Sequence, residues 1–158
     1  MAEPKRPIRV LFLCTGNSAR SILAEALLDH LGAGDFEAES AGSHPTGRVH
    51  PLALAQLKHM RLPVVGLRSK TWDEFAGPDA TPFDVIVTVC DNAASETCPV
   101  WPGTAKRLHW SIADPAAVTG TAAEQQAAFQ ATAQALADRI RTLVETVATA
   151  PAGGASRG

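Results

Sequence analysis

Cys14 and Arg20 lie six positions apart in the segment Cys-Thr-Gly-Asn-Ser-Ala-Arg, between an apolar run and a helix-like stretch. The first backbone N–H groups of a helix lack partners within the helix and carry partial positive charge, so they attract an anion. Gly16 permits a tight turn, and the planar guanidinium of Arg20 suits the oxygens of a phosphate-like group. The segment, here called the anion loop, therefore predicts a binding site for a tetrahedral oxyanion. Its predicted oxyanion-binding residues are Thr15, Gly16, Asn17, Ser18, Ala19, Arg20 and Ser21.

Cys14 is the predicted nucleophile of this loop. A helix N-terminus and a nearby cation stabilise a thiolate, so we expect a lowered pKa at Cys14. Ser21 is placed to donate a hydrogen bond to the thiolate, and Asn17 to brace the loop. The alternative is a buried structural cysteine followed by an unrelated surface arginine, which the strand, glycine and helix context disfavours.

Cys90 and Cys98 are separated by eight positions. On an α-helix this spacing corresponds to about 12 Å along the axis. A disulfide needs Cα atoms roughly 4.4–6.8 Å apart. The spacing therefore predicts a segment that rearranges between its thiol and disulfide states. The alternative is a small core residue at Cys90 and an incidental loop thiol at Cys98, while the scattered histidines disfavour zinc.

Apolar periodicity predicts alternating strands and helices, which favours a parallel sheet in an α/β fold. The strands are predicted at 8–13, 36–41, 83–89 and 107–110, and the helices at 19–31, 51–60 and 122–148. An apolar stripe on the last helix comprises Phe129, Leu136, Ile140, Leu143 and Val147.

Four polar residues should meet at one edge of this sheet, because ligands bind at the carboxyl ends of parallel strands. Cys14, Ser40 and Cys90 come at the ends of the first three predicted strands, and Asp114 lies just beyond the fourth. Asp114 precedes a proline that restricts its backbone, and its carboxyl group is a candidate proton donor to a departing oxygen.

The whole chain has 158 residues, 46% of them hydrophobic, which suits one domain with its own core. We predict flexible ends at 1–7 and 149–158 around a domain at 8–148. A net charge of -2 gives no indication of nucleic acid or an anionic membrane as partner. The N-terminal apolar run is too short for a signal peptide or a membrane span, and three cysteines without an export signal indicate a cytoplasmic protein.

These motifs together resemble the low-molecular-weight protein tyrosine phosphatase family, and within it the three-cysteine, thioredoxin-linked arsenate reductases. The resemblance covers residues 8–147 and rests mainly on Leu-Cys-Thr-Gly-Asn-Ser-Ala-Arg-Ser at 13–21. Supporting motifs are Ser-Ala-Gly at 40–42, Val-Thr-Val-Cys-Asp at 87–91, Cys98-Pro99, His109-Trp110 and Asp114-Pro115. The resemblance implies a single three-layer domain, with a four-stranded parallel sheet of order 2-1-3-4 and helices on both faces.

The resemblance also implies a mechanism with three thiols. Cys14 would attack arsenate held by the loop and Arg20, while Asp114 protonates the departing oxygen. Cys90 would then attack Cys14 and release arsenite, and Cys98 would attack Cys90. Thioredoxin or a glutaredoxin-like reductant would reduce the resulting Cys90–Cys98 disulfide.

Some members of the family hold a potassium ion beside the anion loop, and the matching residues here are Asn17, Glu25, Ser40 and Asp73. The resemblance implies that the chain has no other bound cofactor and that it is a monomer. It also implies that phosphate and sulfate compete with arsenate for the anion loop. The interval between Cys90 and Cys98 is one residue longer than in thioredoxin-linked members. The chain has no tyrosine, and alanines follow Asp114-Pro115 where tyrosine phosphatases carry an aromatic pair.

Two other functions stay open at this point. A phosphatase acting on phosphotyrosine or a small phosphoester, through a phosphocysteine at Cys14, would need Arg20 and Asp114 but neither Cys90 nor Cys98. A non-enzymatic oxyanion or redox sensor would form the Cys90–Cys98 disulfide without turnover.

Overall fold

A computed structural model describes residues 6–77, 80–90 and 105–148. The elements in chain order are β1 (Ile8–Cys14), α1 (Arg20–Leu31), β2 (Phe36–Gly42), α2 (Pro51–His59), β3 (Val85–Thr88), β4 (Lys106–His109) and α3 (Ala122–Ala148). Short 3-10 helices occupy Trp72–Phe75 and Pro115–Ala117. Every predicted strand and helix is present, with ends displaced by at most two residues. Cys98 and most of the predicted flexible ends lie outside the described residues.

The four strands form a parallel sheet in the order β2-β1-β3-β4, which confirms the predicted α/β fold and strand order. β1 lies between two neighbours, and its residues from Val10 to Cys14 are buried. A strand that is covered on both faces has a nearly continuous apolar sequence, which is why the first strand is recognisable in the sequence.

Successive residues of β1 face opposite sides of the sheet. Val10 and Phe12 belong to a core cluster that includes residues of α1, α2 and α3. Leu11 and Leu13 belong to a second cluster, with Trp72 and Phe83. Within the described ranges, the three α-helices therefore cover one face, and the 3-10 helix Trp72–Phe75 with the segment entering β3 covers the other.

The predicted apolar stripe of α3 faces this core. Phe129, Leu136 and Ile140 are almost completely buried, Leu143 is buried, and Val147 packs against the cluster while partly exposed. Where the chain is described, it has no helix long and apolar enough to cross a membrane.

The carboxyl ends of the strands lie at one edge of the sheet. Cys14 ends β1 opposite Gly42 at the end of β2. Val89, just after β3, donates its N–H to Leu13 O at 2.9 Å. β2 runs on to Gly42, so Ser40 does not close its strand and lies opposite Phe12 instead.

Candidate active site

The backbone of the anion loop is held by residues 43–50, here called the rim segment. Three loop carbonyls accept hydrogen bonds from it: His44 N to Thr15 O (2.9 Å), Thr46 N to Gly16 O (3.0 Å) and His50 N to Ser18 O (2.9 Å). The C=O and N–H groups of a trans peptide point in opposite directions. The N–H groups that follow these carbonyls are therefore directed away from the rim segment. That of Asn17 donates to Cys14 Sγ at 3.3 Å.

The start of α1 supplies further donors to the loop. Ala19 is the N-cap residue, and no side chain caps the helix there. The first N–H groups of α1 therefore keep their partial positive charge at the loop, as an oxyanion site requires. Among the described residues, the uncapped start of α1 thus lies directly after the anion loop.

Asn17 is completely buried and braces the loop through its side chain. Its φ of 47° lies in the left-handed region, which asparagine tolerates better than most residues. Asn17 Nδ2 donates to Ser21 Oγ at 2.7 Å, and Asn17 Oδ1 accepts the N–H of Lys70 at 2.9 Å. Because Ser21 Oγ accepts from Asn17, its own proton is available to Cys14 Sγ, which lies 3.0 Å away.

The pKa of the buried Cys14 thiol is raised well above its ordinary value. The largest cause is its hydrogen bond with the Cys90 thiol, followed by burial, while the Ser21 hydroxyl acts in the opposite direction. The sequence predicted a lowered pKa here, and that prediction is wrong. The second thiol and the desolvation of Cys14 outweigh the stabilising donors.

Cys90 is the second thiol at the loop. Thr15 N donates to Cys90 Sγ at 3.3 Å, and Thr15 Oγ1 lies 3.6 Å from the same sulfur. Both Cys14 and Cys90 are buried. The structure therefore brings two of the three predicted thiols to the anion loop.

Arg20 connects the loop to the segment after β4. Arg20 Nη1 donates to Ile112 O at 2.9 Å, and Arg20 Nη2 lies 3.8 Å from Asp114 Oδ2. Asp114 Oδ1 accepts the N–H of Ala116 at 2.9 Å and caps the 3-10 helix that follows. The candidate proton donor thus lies beside the candidate anion-binding arginine.

The residues matched to a potassium site are only partly assembled. Ser40 Oγ donates to Glu25 Oε1 at 2.5 Å, and both residues are buried. Asn17 Oδ1 accepts the Lys70 N–H, and Asp73 is exposed on its 3-10 helix. The ammonium of Lys70 lies 3.7 Å from Glu25 Oε1. A positive charge beside the main carboxylate leaves this donor set unsuited to an additional potassium ion.

Gly42 and Lys70 contact the anion loop, and no sequence pattern had predicted that contact for either residue. A Cβ atom at Gly42 would lie 2.4 Å from Thr15 O and 2.9 Å from Cys14 O. Gly42 therefore allows the end of β2 to approach the anion loop closely. Lys70 stands in the polar run Arg-Ser-Lys-Thr at 68–71, which carries no signal of burial.

Known proteins resemble this chain over nearly all of its length. Residues 9–152 match the family described as low molecular weight phosphotyrosine protein phosphatase. An arsenate reductase of Halalkalibacterium halodurans is 35% identical over 137 residues, which are 87% of this chain and 95% of that protein. The crystal structure of an arsenate reductase from Archaeoglobus fulgidus is 32% identical with a TM-score of 0.67, covering 86% of this chain and 98% of that one. A thioredoxin-dependent arsenate reductase from Corynebacterium glutamicum is 26% identical with a TM-score of 0.65, covering 89% of this chain and 62% of that one.

Proposed function

Since the chain belongs to the low molecular weight phosphotyrosine protein phosphatase family, we propose that it uses this site to reduce arsenate to arsenite. The observation that carries the proposal is the Cys90 thiol, which accepts a hydrogen bond from Thr15 N of the anion loop and is near enough to Cys14 to raise its pKa. A phosphatase needs one thiol at this position, whereas reduction of arsenate needs two electrons, which two thiols supply. The names of the relatives support the same activity.

In the first step Cys14 attacks the arsenic atom of arsenate bound by the loop amides and Arg20. The pKa of Cys14 is raised, so its proton has to leave as the S–As bond forms, and an arsenate oxygen in the same loop can accept it. One arsenate oxygen then departs as water, with a proton from Asp114. The product is an arsenic(V) adduct on Cys14.

In the second step Cys90 attacks Cys14 Sγ. The Cys14–Cys90 disulfide forms as the S–As bond breaks, and the electron pair of that bond remains on arsenic. Arsenic(V) becomes arsenic(III), and arsenite leaves. Thr15 N, which donates to Cys90 Sγ at 3.3 Å, stabilises the attacking sulfur as a thiolate.

In the third step Cys98 attacks Cys90 and frees Cys14. A dithiol reductant then reduces the Cys90–Cys98 disulfide. We propose thioredoxin, since one structural relative is named as thioredoxin-dependent. A glutaredoxin-like protein is the alternative to be compared in the same assay.

The test is arsenite production by the parent chain and by Cys90→Ser and Cys98→Ser variants, with thioredoxin, thioredoxin reductase and NADPH. The parent should turn over repeatedly. Cys90→Ser should release no arsenite, and Cys98→Ser should release one arsenite per chain and stop with two thiols lost. Normal turnover by both variants would overturn the three-thiol mechanism.

The same preparations distinguish a phosphatase. We expect poor hydrolysis of a phosphotyrosine peptide, since Ala116 and Ala117 follow Pro115 and offer no aromatic wall for the substrate ring. Efficient hydrolysis that survives Cys98→Ser, together with no arsenite formed by the parent, would establish phosphatase activity instead.

A further inference from the structure

Lys70 is a buried lysine beneath the anion loop. Its side chain is 3% exposed, and its Nζ lies 3.7 Å from Glu25 Oε1. The same Nζ donates to Arg68 O at 3.3 Å. Lysine is almost never this buried unless its charge is paired. The ammonium is therefore a fixed positive charge inside the polar cluster formed with Glu25 and Ser40.

We propose that the Lys70 ammonium is the resident cation of this cluster and replaces the potassium ion that the family resemblance predicts. Three of the four residues matched to that ion, Asn17, Glu25 and Ser40, already bond one another or Lys70, while Asp73 is exposed. Glu25 Oε1 accepts from Ser40 and faces Lys70, and Asn17 Oδ1 accepts the Lys70 N–H. A potassium ion at these oxygens would displace those bonds and meet the like charge of Lys70.

The backbone of Lys70 connects the cluster to the nucleophile. Lys70 N donates to Asn17 Oδ1, Asn17 Nδ2 donates to Ser21 Oγ, and Ser21 Oγ lies 3.0 Å from Cys14 Sγ. Lys70 O accepts the N–H of Gly42 at 3.0 Å. The ion pair with Glu25 holds Lys70 at the start of this series of hydrogen bonds. Lys70 is therefore a positioning residue for the loop, and its charge also favours a bound anion.

The first test uses the unmodified chain and inorganic sulfate. Calorimetry measures sulfate affinity, and thermal unfolding measures the midpoint, in KCl and in NaCl at equal ionic strength. We expect the same affinity and the same midpoint in both salts. A potassium-specific gain in either quantity would overturn the inference. Because sulfate binding is the readout, the outcome does not depend on whether the chain reduces arsenate.

The second test removes the charge with Lys70→Gln and compares it with Lys58→Gln, the same change at an exposed position of α2. Lys70→Gln should weaken sulfate binding by about tenfold, the order expected for one unit charge in a partly desolvated site. Potassium should restore part of that affinity to the variant, and sodium should not. Lys58→Gln should behave as the parent. Sulfate binding of parental strength by Lys70→Gln would overturn the inference.

Lys70→Gln leaves the buried Glu25 carboxylate without its ion pair, which is strongly destabilising in general. The double variant Lys70→Gln/Glu25→Gln removes both charges and provides a folded alternative. It should bind sulfate weakly and show no response to potassium, because the carboxylate is gone. Parental sulfate affinity in the double variant would count against a role for Lys70.

Discussion

Arg20 Nη2 lies 3.8 Å from Asp114 Oδ2, while Nη1 of the same guanidinium donates to Ile112 O at 2.9 Å. The residue that binds the oxyanion in the proposed mechanism thus also holds the segment that carries the proton donor. Arginine suits both contacts because its donors form a planar fork. A substitution at Asp114 should therefore act on the chemical step alone, whereas a substitution at Arg20 should act on arsenate binding as well.

Asp114→Asn should lower kcat for arsenate reduction by about 100-fold, the scale of a lost general acid, with little change in KM. Arg20→Lys should instead raise KM for arsenate, because an ammonium lacks the paired donors of a guanidinium. Steady-state kinetics of the thioredoxin-coupled reaction measure both constants. Asp138→Asn, at another aspartate paired with an arginine, is the matched control. A normal kcat in Asp114→Asn would exclude the assigned role.

Cys90→Ala should lower the pKa of Cys14, since the hydrogen bond with Cys90 is the largest cause of the raised value. The pH dependence of iodoacetamide alkylation, with Cys14 followed by peptide mass, measures the change. Val89→Ala is the control, because it shortens a buried side chain at the neighbouring position but keeps the Cys90 thiol. The midpoint pH of Cys14 alkylation in this variant should match that of the parent. An unchanged or higher midpoint in Cys90→Ala would contradict the coupling of the two thiols.

Ser21→Ala should raise the pKa of Cys14 and so shift the alkylation curve to higher pH. The Ser21 hydroxyl lies 3.0 Å from Cys14 Sγ and lowers its pKa. A hydrogen bond to a charged group contributes about 1.5–3 kcal/mol, so alkylation at neutral pH should be at least severalfold slower. Alkylation as fast as in the parent would show that Ser21 does not stabilise the thiolate. Thermal unfolding of the variant checks that the loop remains folded.

The positions of the strands and of the anion loop could be predicted because each rests on local chemistry, whereas the strand order was implied by the family resemblance. The near-continuous apolar run of β1, the loop residues that follow it and the uncapped start of α1 are adjacent in sequence. The Cys14–Ser21 hydrogen bond was likewise predictable, because both residues lie within eight positions of each other.

The sequence predicted that Cys14, Cys90 and Asp114 meet at one edge of the sheet, but not the individual contacts that distant segments make there. Lys70 and Asn17 are separated by 53 positions, and Thr15 and Cys90 by 75. The raised pKa of Cys14 depends on Cys90, which lies just after β3, so local reasoning about a helix N-terminus gave the wrong direction. Burial of Lys70 depends on Glu25, which the sequence places on another element.

Gly42→Ala should displace the anion loop, because the added Cβ would lie 2.4 Å from Thr15 O. Overpacking of this kind costs about 1–3 kcal/mol, and sulfate affinity should fall with it. Gly34→Ala is the control without a contact: its φ of 89° disfavours alanine, but no atom lies within 4 Å of the added Cβ. Urea unfolding and calorimetry measure the two effects. Undiminished sulfate binding by Gly42→Ala would show that the close approach is unimportant for the loop.

Glu25 gives the stability of the chain a specific pH dependence. Its pKa is raised to about 6 from an ordinary 4.5, chiefly by burial, while Lys70 and Ser40 act in the opposite direction. A carboxyl group with a raised pKa binds its proton more tightly in the folded state than in the unfolded state. Its contribution to stability is therefore fully present below pH 4.5 and is lost as the pH rises through about 6.

Glu25→Gln should remove this dependence. Relative to the variant, the parent should lose about 2 kcal/mol of unfolding free energy between pH 4 and pH 7, since one pKa unit corresponds to about 1.4 kcal/mol. Urea unfolding of both chains at each pH, in potassium-free buffer, gives the difference directly. Glu74→Gln is a control of opposite sign, because Arg68 lowers the pKa of Glu74 and its contribution is lost as the pH falls. If the difference in unfolding free energy between the parent and Glu25→Gln did not change with pH, the carboxyl group of Glu25 would titrate normally in the parent. Burial beside Lys70 would then not govern its charge.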